Sequence, residues 1–197
     1  MKEIDCYGDE SDGISNVAGS GDELEGRVIQ SITVGTIVAP THNIQPSAGK
    51  PGIEIVGSSD SDFLVIAVRT GDYAILTTGG LSAHGISAEM EYAGPLRVVL
   101  LEESRINAAG RGISAVEMSI GDLRVDSAGT IVSNGVGLFA SEHGEGDLTI
   151  VASESITASG AGSHAIHARE AGAGRLTLTS SGALVANGAD AHGILVE

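Results

Sequence analysis

Gly112-Ile113-Ser114-Ala115, then Leu123-Arg124-Val125, then Ile131-Val132-Ser133 make one unit of a pattern that fills the second half of this 197-residue chain. The first phrase returns as Gly137-Leu138-Phe139-Ala140, Ala165-Ile166-His167-Ala168 and Gly193-Ile194-Leu195-Val196, and Gly85-Ile86-Ser87-Ala88 precedes it. From Ile113, Leu138 and Ile166 it is ten residues to Leu123, Leu148 and Leu176, and eight more to Ile131, Ile156 and Leu184. The units step by 25, 28 and 28 residues. A period of this size marks a solenoid, because a unit so small cannot bury its apolar face alone and must stack on its neighbours.

Every phrase alternates with period two, the strand signature. Leu148-Thr149-Ile150 and Leu176-Thr177-Leu178 put aliphatics on one face and hydroxyls on the other; the third phrase reads Ile131-Val132-Ser133, Ile156-Thr157-Ala158 and Leu184-Val185-Ala186. No stretch holds a 3.6-residue apolar pattern, and Gly, Ser and Thr interrupt throughout, so helices are not expected. The reading is an all-β parallel β-helix with three short strands per coil of about 25–28 residues. Stacked coils place equivalent residues about 4.8 Å apart, so Ile86, Ile113, Leu138, Ile166 and Ile194 form one interior column and Ala88, Ala115, Ala140 and Ala168 another. Gly129, Gly160, Gly182 and Gly188 are expected to supply left-handed backbone at the corners.

Composition agrees. Twenty-nine Gly, two Phe, three Tyr and no Trp suit aliphatic columns and tight turns. Ten Lys and Arg against 26 Asp and Glu give a formal charge of −16, which opposes binding to nucleic-acid phosphates or anionic membranes. Cys6, the one cysteine, cannot form an internal disulfide and reads as a free thiol. Phe63-Leu64-Val65-Ile66-Ala67-Val68 is too short to span a membrane. Met1 to Asp5 has no apolar run of the signal-peptide kind, and the last phrase is cut short at Glu197, so the expectation is a segment of a longer protein.

Along the chain, residues 1–26 read as an acidic segment, disordered or a ragged first coil. Residues 27–197 read as one β-helix domain, with clear repeats in 84–197 and looser coils in 27–83. Val28 to Val38 alternates like one or two strands. Residues 39–51, with Pro40, Pro46 and Pro51, read as a loop leaving the body. A coil from about Gly52 to Ala83 starts with Gly52-Ile53-Glu54-Ile55, continues through Ile66 to Val68, and has its third strand at Leu76-Thr77-Thr78.

Gly121-Asp122-Leu123-Arg124-Val125, Gly146-Asp147-Leu148-Thr149-Ile150, Ser163-His164-Ala165-Ile166-His167-Ala168 and Ala191-His192-Gly193-Ile194 carry a resemblance to the passenger region of bacterial autotransporters, of the pertactin-like type, from about residue 52 onward. The resemblance implies a right-handed parallel β-helix. It also implies export through an outer-membrane barrel, and display on or release from the cell surface.

Three sets of residues invite chemistry. His84, His164 and His192 share one register, with Arg111 and Val136 between, so His164 and His192 should be stacked neighbours able to hold a metal or titrate together; the competing reading is a turn residue whose ring nitrogen bonds the backbone. No carboxylate or cysteine joins that column at ligand spacing. Asp60 with Asp62, and Glu102 with Glu103, are the carboxylate pairs that could divide acid and base roles, whereas Asp122 and Asp147 recur before a strand as turn-formers do. A tandem calcium nonapeptide is absent, Thr149, Thr157, Thr177 and Thr179 are too scattered for an ice-binding rank, and no phosphate loop or nucleophile elbow occurs. The sequence therefore assigns no catalytic, cofactor-binding or metal residue and no cofactor. It leads to the expectation of a non-catalytic, surface-exposed or secreted structural and adhesive β-helix segment. Its partners would be host or bacterial surface glycans or proteins, or further copies of itself, met by the outward faces and the loops at 39–51 and 89–94. The alternative is a polysaccharide lyase or glycoside hydrolase on the same scaffold.

Overall fold

The computed structural model describes residues 43–57 and 64–197, together with the backbone of Ile14–Ser15 and Asp22–Glu23. The described chain is all-β, without helix, and winds into a β-solenoid of about five turns with three strands per coil. The first sheet stacks Ile53–Gly57, Ile86–Met90, Ile113–Glu117, Leu138–Glu142, Ile166–Glu170 and Ile194–Val196, with Ile14–Ser15 and then Asp22–Glu23 beyond Ile53–Gly57. The second holds Leu64–Val68, Leu96–Leu100, Leu123–Ser127, Leu148–Ala152 and Leu176–Ser180. The third holds Ile75–Leu76, Arg105–Ala108, Thr130–Ser133, Ile156–Ala158 and Leu184–Ala186. Every described pairing is parallel, as it must be when each strand meets its own copy one coil away.

The register is that of the sequence columns. Ile113 lies beside Leu138 and Ile86, Leu123 beside Leu148 and Leu96, and Ile131 beside Ile156 and Ile106. These aliphatics are fully buried and form one continuous core. Each is stabilising by about 1.5–3 kcal/mol relative to exposure. The coil from Gly52 to Ala83 has three strands, and Ile53 and Ile55 extend the two interior columns. Its third strand is Ile75–Leu76 rather than Leu76-Thr77-Thr78, one residue earlier than expected, because Ile75 and not Leu76 takes the buried place beside Ile106. Met90, expected in the 89–94 loop, ends strand Ile86–Met90 because it pairs with Gly57 and Glu117.

Residues 27–42 and Asp60 and Asp62 lie outside the described residues, as do the side chains of 1–26. Within the Pro-rich loop, residues 43–51 run in turns pinned to the stack. Ile44 is buried and bridges Ile75, and the Gly49 N–H donates to the Thr78 carbonyl.

Gly129, Gly160, Gly182 and Gly188 do not adopt the left-handed backbone expected of them; positive φ occurs instead at Gly49, Gly71, Gly79, Gly80, Gly94 and Gly162. Space is what these four lack. A Cβ on Gly129 would meet the Ser104 carbonyl oxygen at 2.6 Å, and one on Gly188 would overlap the Gly160 carbonyl. Corners of successive coils ride directly on one another, and only a residue without a side chain fits over the carbonyl of the preceding coil.

Candidate functional site

The first sheet is bounded by two corners, and each stacks its own chemistry. The corner before the sheet carries His84, Arg111, Val136, His164 and His192, each two residues ahead of an aliphatic that is buried in every coil but the last, where Ile194 is exposed. The residue between is small because the corner is tight: a Cβ on Gly85 would strike Ile106 and the Gly112 carbonyl. The imidazoles are tied to the stack. His84 Nδ1 accepts the Arg111 N–H at 3.1 Å, and His164 Nδ1 accepts the His192 N–H at 3.1 Å. His164 and His192 stack with centroids 5.3 Å apart and an 8° tilt, as their shared register requires. Backbone bonding through the ring is thus how His84 and His164 are used.

Sequence reasoning missed how far this cluster reaches, because its other members lie on a different column. His167 stands edge-on to His164 and to Phe139, with centroids 5.5 and 5.2 Å away, and its Nε2 is 3.1 Å from Glu197 Oε2. The Arg111 guanidinium lies 3.8 Å over the Phe139 ring and donates to Ser114 Oγ at 3.1 Å. Burial, reinforced by the Arg111 charge, pushes the His84 pKa down to about 4. Burial, with the neighbouring His167 and His192 adding to it, also lowers His164. Both rings are therefore held neutral near pH 7. Among the described residues no group of three or more His, Cys, Asp or Glu is placed to hold a metal ion.

The corner after the first sheet stacks Gly57, Met90, Glu117, Glu142 and Glu170. Glu117 and Glu142 are fully buried. Each glutamate uses one oxygen to hold its own corner: Glu117 Oε1 accepts the Ser119 N–H at 3.0 Å, Glu142 Oε1 the Gly144 N–H at 2.7 Å, and Glu170 Oε1 the Gly172 N–H at 3.1 Å. The other oxygen of all three is buried without a protein donor. The sequence signal was present. These residues sit four positions past Ile113, Leu138 and Ile166 and repeat at the same 25 and 28 steps.

Of the carboxylates singled out from sequence, Asp122 and Asp147 are structural. Asp122 Oδ1 accepts the Asp147 N–H at 2.9 Å, and Asp147 Oδ1 accepts the Arg175 N–H at 2.8 Å. Glu102 and Glu103 lie on the corner between second and third sheets, which is longer here than in later coils: Leu96 to Ile106 spans ten residues where Leu123 to Ile131 spans eight. The extra length overhangs the next coils and opens a shallow groove lined by Glu102, Glu103, Arg105, Thr130, Ser153 and Glu154. The three carboxylates and Arg105 are all exposed, and none is in an ion pair among the described residues. On the outer face of the second sheet Asp126 bridges Arg97 and Arg124 at 2.8 and 2.7 Å.

No protein-family model, curated protein or solved structure matches this chain.

Proposed function

We propose that this chain is a non-catalytic segment of a surface-exposed or secreted β-helix built on the plan of an autotransporter passenger, serving as a stiff spacer and contributing to adhesion. One observation carries the reading. The side chains best suited to chemistry are spent on holding one coil to the next: His84, His164, Asp122 and Asp147 each accept a backbone N–H from the following coil. A site that turns over substrate needs groups free to change partners. The partners of such a spacer are surface glycans or proteins, or other copies, met by the outward strand faces.

Mechanical pulling and binding test it together. A spacer of stacked coils unravels in steps of one coil, about 80–100 Å of released chain at ~3.3–3.6 Å per residue, and retains immobilised surface glycans or proteins without altering them.

A second reading, a polysaccharide-active enzyme, draws on the groove where Glu102 and Glu103 meet Glu154 from a different coil beside Arg105. Incubation with a panel of acidic and neutral polysaccharides separates the two. Sustained release of shortened chains that disappears in Glu154→Gln would overturn the non-catalytic proposal.

A further inference from the structure

We infer that Glu117, Glu142 and Glu170 form a proton-sharing ladder inside the wall of the solenoid, an acid-dependent clamp that joins three coils and loosens as pH rises. Two independent observations meet here. The geometry puts the three carboxyls in one register on adjacent strands, with Glu142 as the middle rung between Glu117 and Glu170. Glu117 Oε2 and Glu142 Oε2 belong to side chains with no exposed surface, and neither has a donor from the protein. Two ionised carboxylates stacked one coil apart, each with an oxygen shut off from water, repel one another and gain nothing from solvent in return. A proton between them turns the same contact into a charge-assisted hydrogen bond. The bound species is therefore the proton itself.

Among the described residues no basic side chain takes its place. Met90 closes the column below Glu117, and the inward residues of the adjoining second-sheet strands, Leu123, Val125, Leu148 and Ile150, are apolar. On their outer face Arg124 and Asp126 pair with each other. Of the charged groups in the same corner, Asp122 and Asp147 are exposed and bonded to amides of the next coil. The His143 ring is 2.9 Å from Ser141 Oγ, and Glu145, Arg169 and Arg175 are exposed. Glu142 bears on its two neighbours in opposite senses: on Glu170 it adds to the raising effect of burial, and on Glu117 its hydrogen bond works against that effect. Burial, first among the causes, raises the pKa of both above the ordinary 4.5. A carboxyl raised in the folded state binds its proton more tightly there than in the unfolded chain. Its contribution is complete below the unfolded value and is lost as pH rises through the folded one.

The test is urea unfolding of wild type and Glu142→Gln from about pH 5 to about pH 8, a range above the ionisation of free Glu at about 4.3. The Gln amide offers two N–H donors to Glu117 and Glu170 and keeps an oxygen for the Gly144 N–H, so it replaces the shared protons with fixed ones. The two proteins are expected to unfold at similar urea concentrations in acid, and the variant at higher urea than wild type at about pH 8. Both carry the same histidine corner, so their difference isolates the glutamates. Infrared spectra of folded wild type should keep a protonated-carboxyl carbonyl band above the ordinary Glu range, weakened in the variant; this measurement stands even if the variant fails to fold. A pH-independent difference, or no such band in wild type, overturns the ladder.

Discussion

At one end of the first sheet the solenoid stacks His84, Arg111, His164 and His192; at the other it stacks Met90, Glu117, Glu142 and Glu170. The two corners face the same difficulty, titratable groups in one register on successive coils, His164 on His192 and Glu117 on Glu142 on Glu170. The histidine corner uses the Nδ1 lone pairs of His84 and His164 for backbone N–H groups of the next coil, which favours the neutral rings. The glutamate corner turns each carboxyl inward, spends one oxygen on its own turn, and leaves the other against its neighbour. The difference teaches that a column is read by the direction its corner gives the side chain. Lowered histidines contribute stability above their unfolded value of 6.5 and lose it as pH falls, toward about 4 for His84. Raised glutamates lose theirs as pH climbs above 4.5. The opposing slopes flatten the pH profile of the whole stack.

The largest expected effect breaks one corner and spares the other. Gly144→Ala places a Cβ into the Ser119 carbonyl and should cost about 3 kcal/mol or more by overpacking against backbone. Gly193→Ala in the last described coil, with nothing within 4 Å of its Cβ, is the control and should change stability by less than about 0.5 kcal/mol; chemical denaturation compares them. Next, His164→Ala removes the acceptor of the His192 N–H and its stacked ring, a loss of about 1 kcal/mol near pH 7. That deficit should shrink in acid, where wild type must charge the buried ring. A deficit that grows as pH falls would remove the contrast between the corners.

Arg111→Ala sharpens the comparison further. It deletes the cation–π contact with Phe139, worth about 0.5–1 kcal/mol, and lifts the nearby positive charge from His84. An NMR titration should find the His84 pKa above its present value of about 4 yet still below 6.5, because burial is the larger cause. Smallest of all, Arg97→Ala on the exposed second-sheet face breaks one arm of the Asp126 bridge and should cost less than about 1 kcal/mol. Having no buried titrating group beside it, this variant should run parallel to wild type across pH.

Much of this was legible in the residues. Period-two alternation and the ten-and-eight spacing located the strands, because a parallel stack repeats its pairing with its sequence. Asp122 and Asp147 were readable as corner-holders for the same reason. Glu117, Glu142 and Glu170 were not, although they repeat just as regularly, since Glu before a Gly-rich turn reads as a solvated residue until the turn's direction is known. The glycines were misread similarly: Gly129 and Gly188 sit in corners, but the carbonyl of the coil below, a residue distant in sequence, is what excludes a side chain there.

The sequence by itself determined the solenoid, its three strands per coil and its aliphatic columns, since each follows from local alternation and counted spacing. Only the tertiary structure decided which corner residues are buried, which oxygens are left without a donor, and that Arg111, Phe139 and His167 gather around the His164 and His192 stack. Those outcomes depend on how one coil lies on the next, and contacts between coils are set by the stacking of corners rather than by any neighbour along the chain.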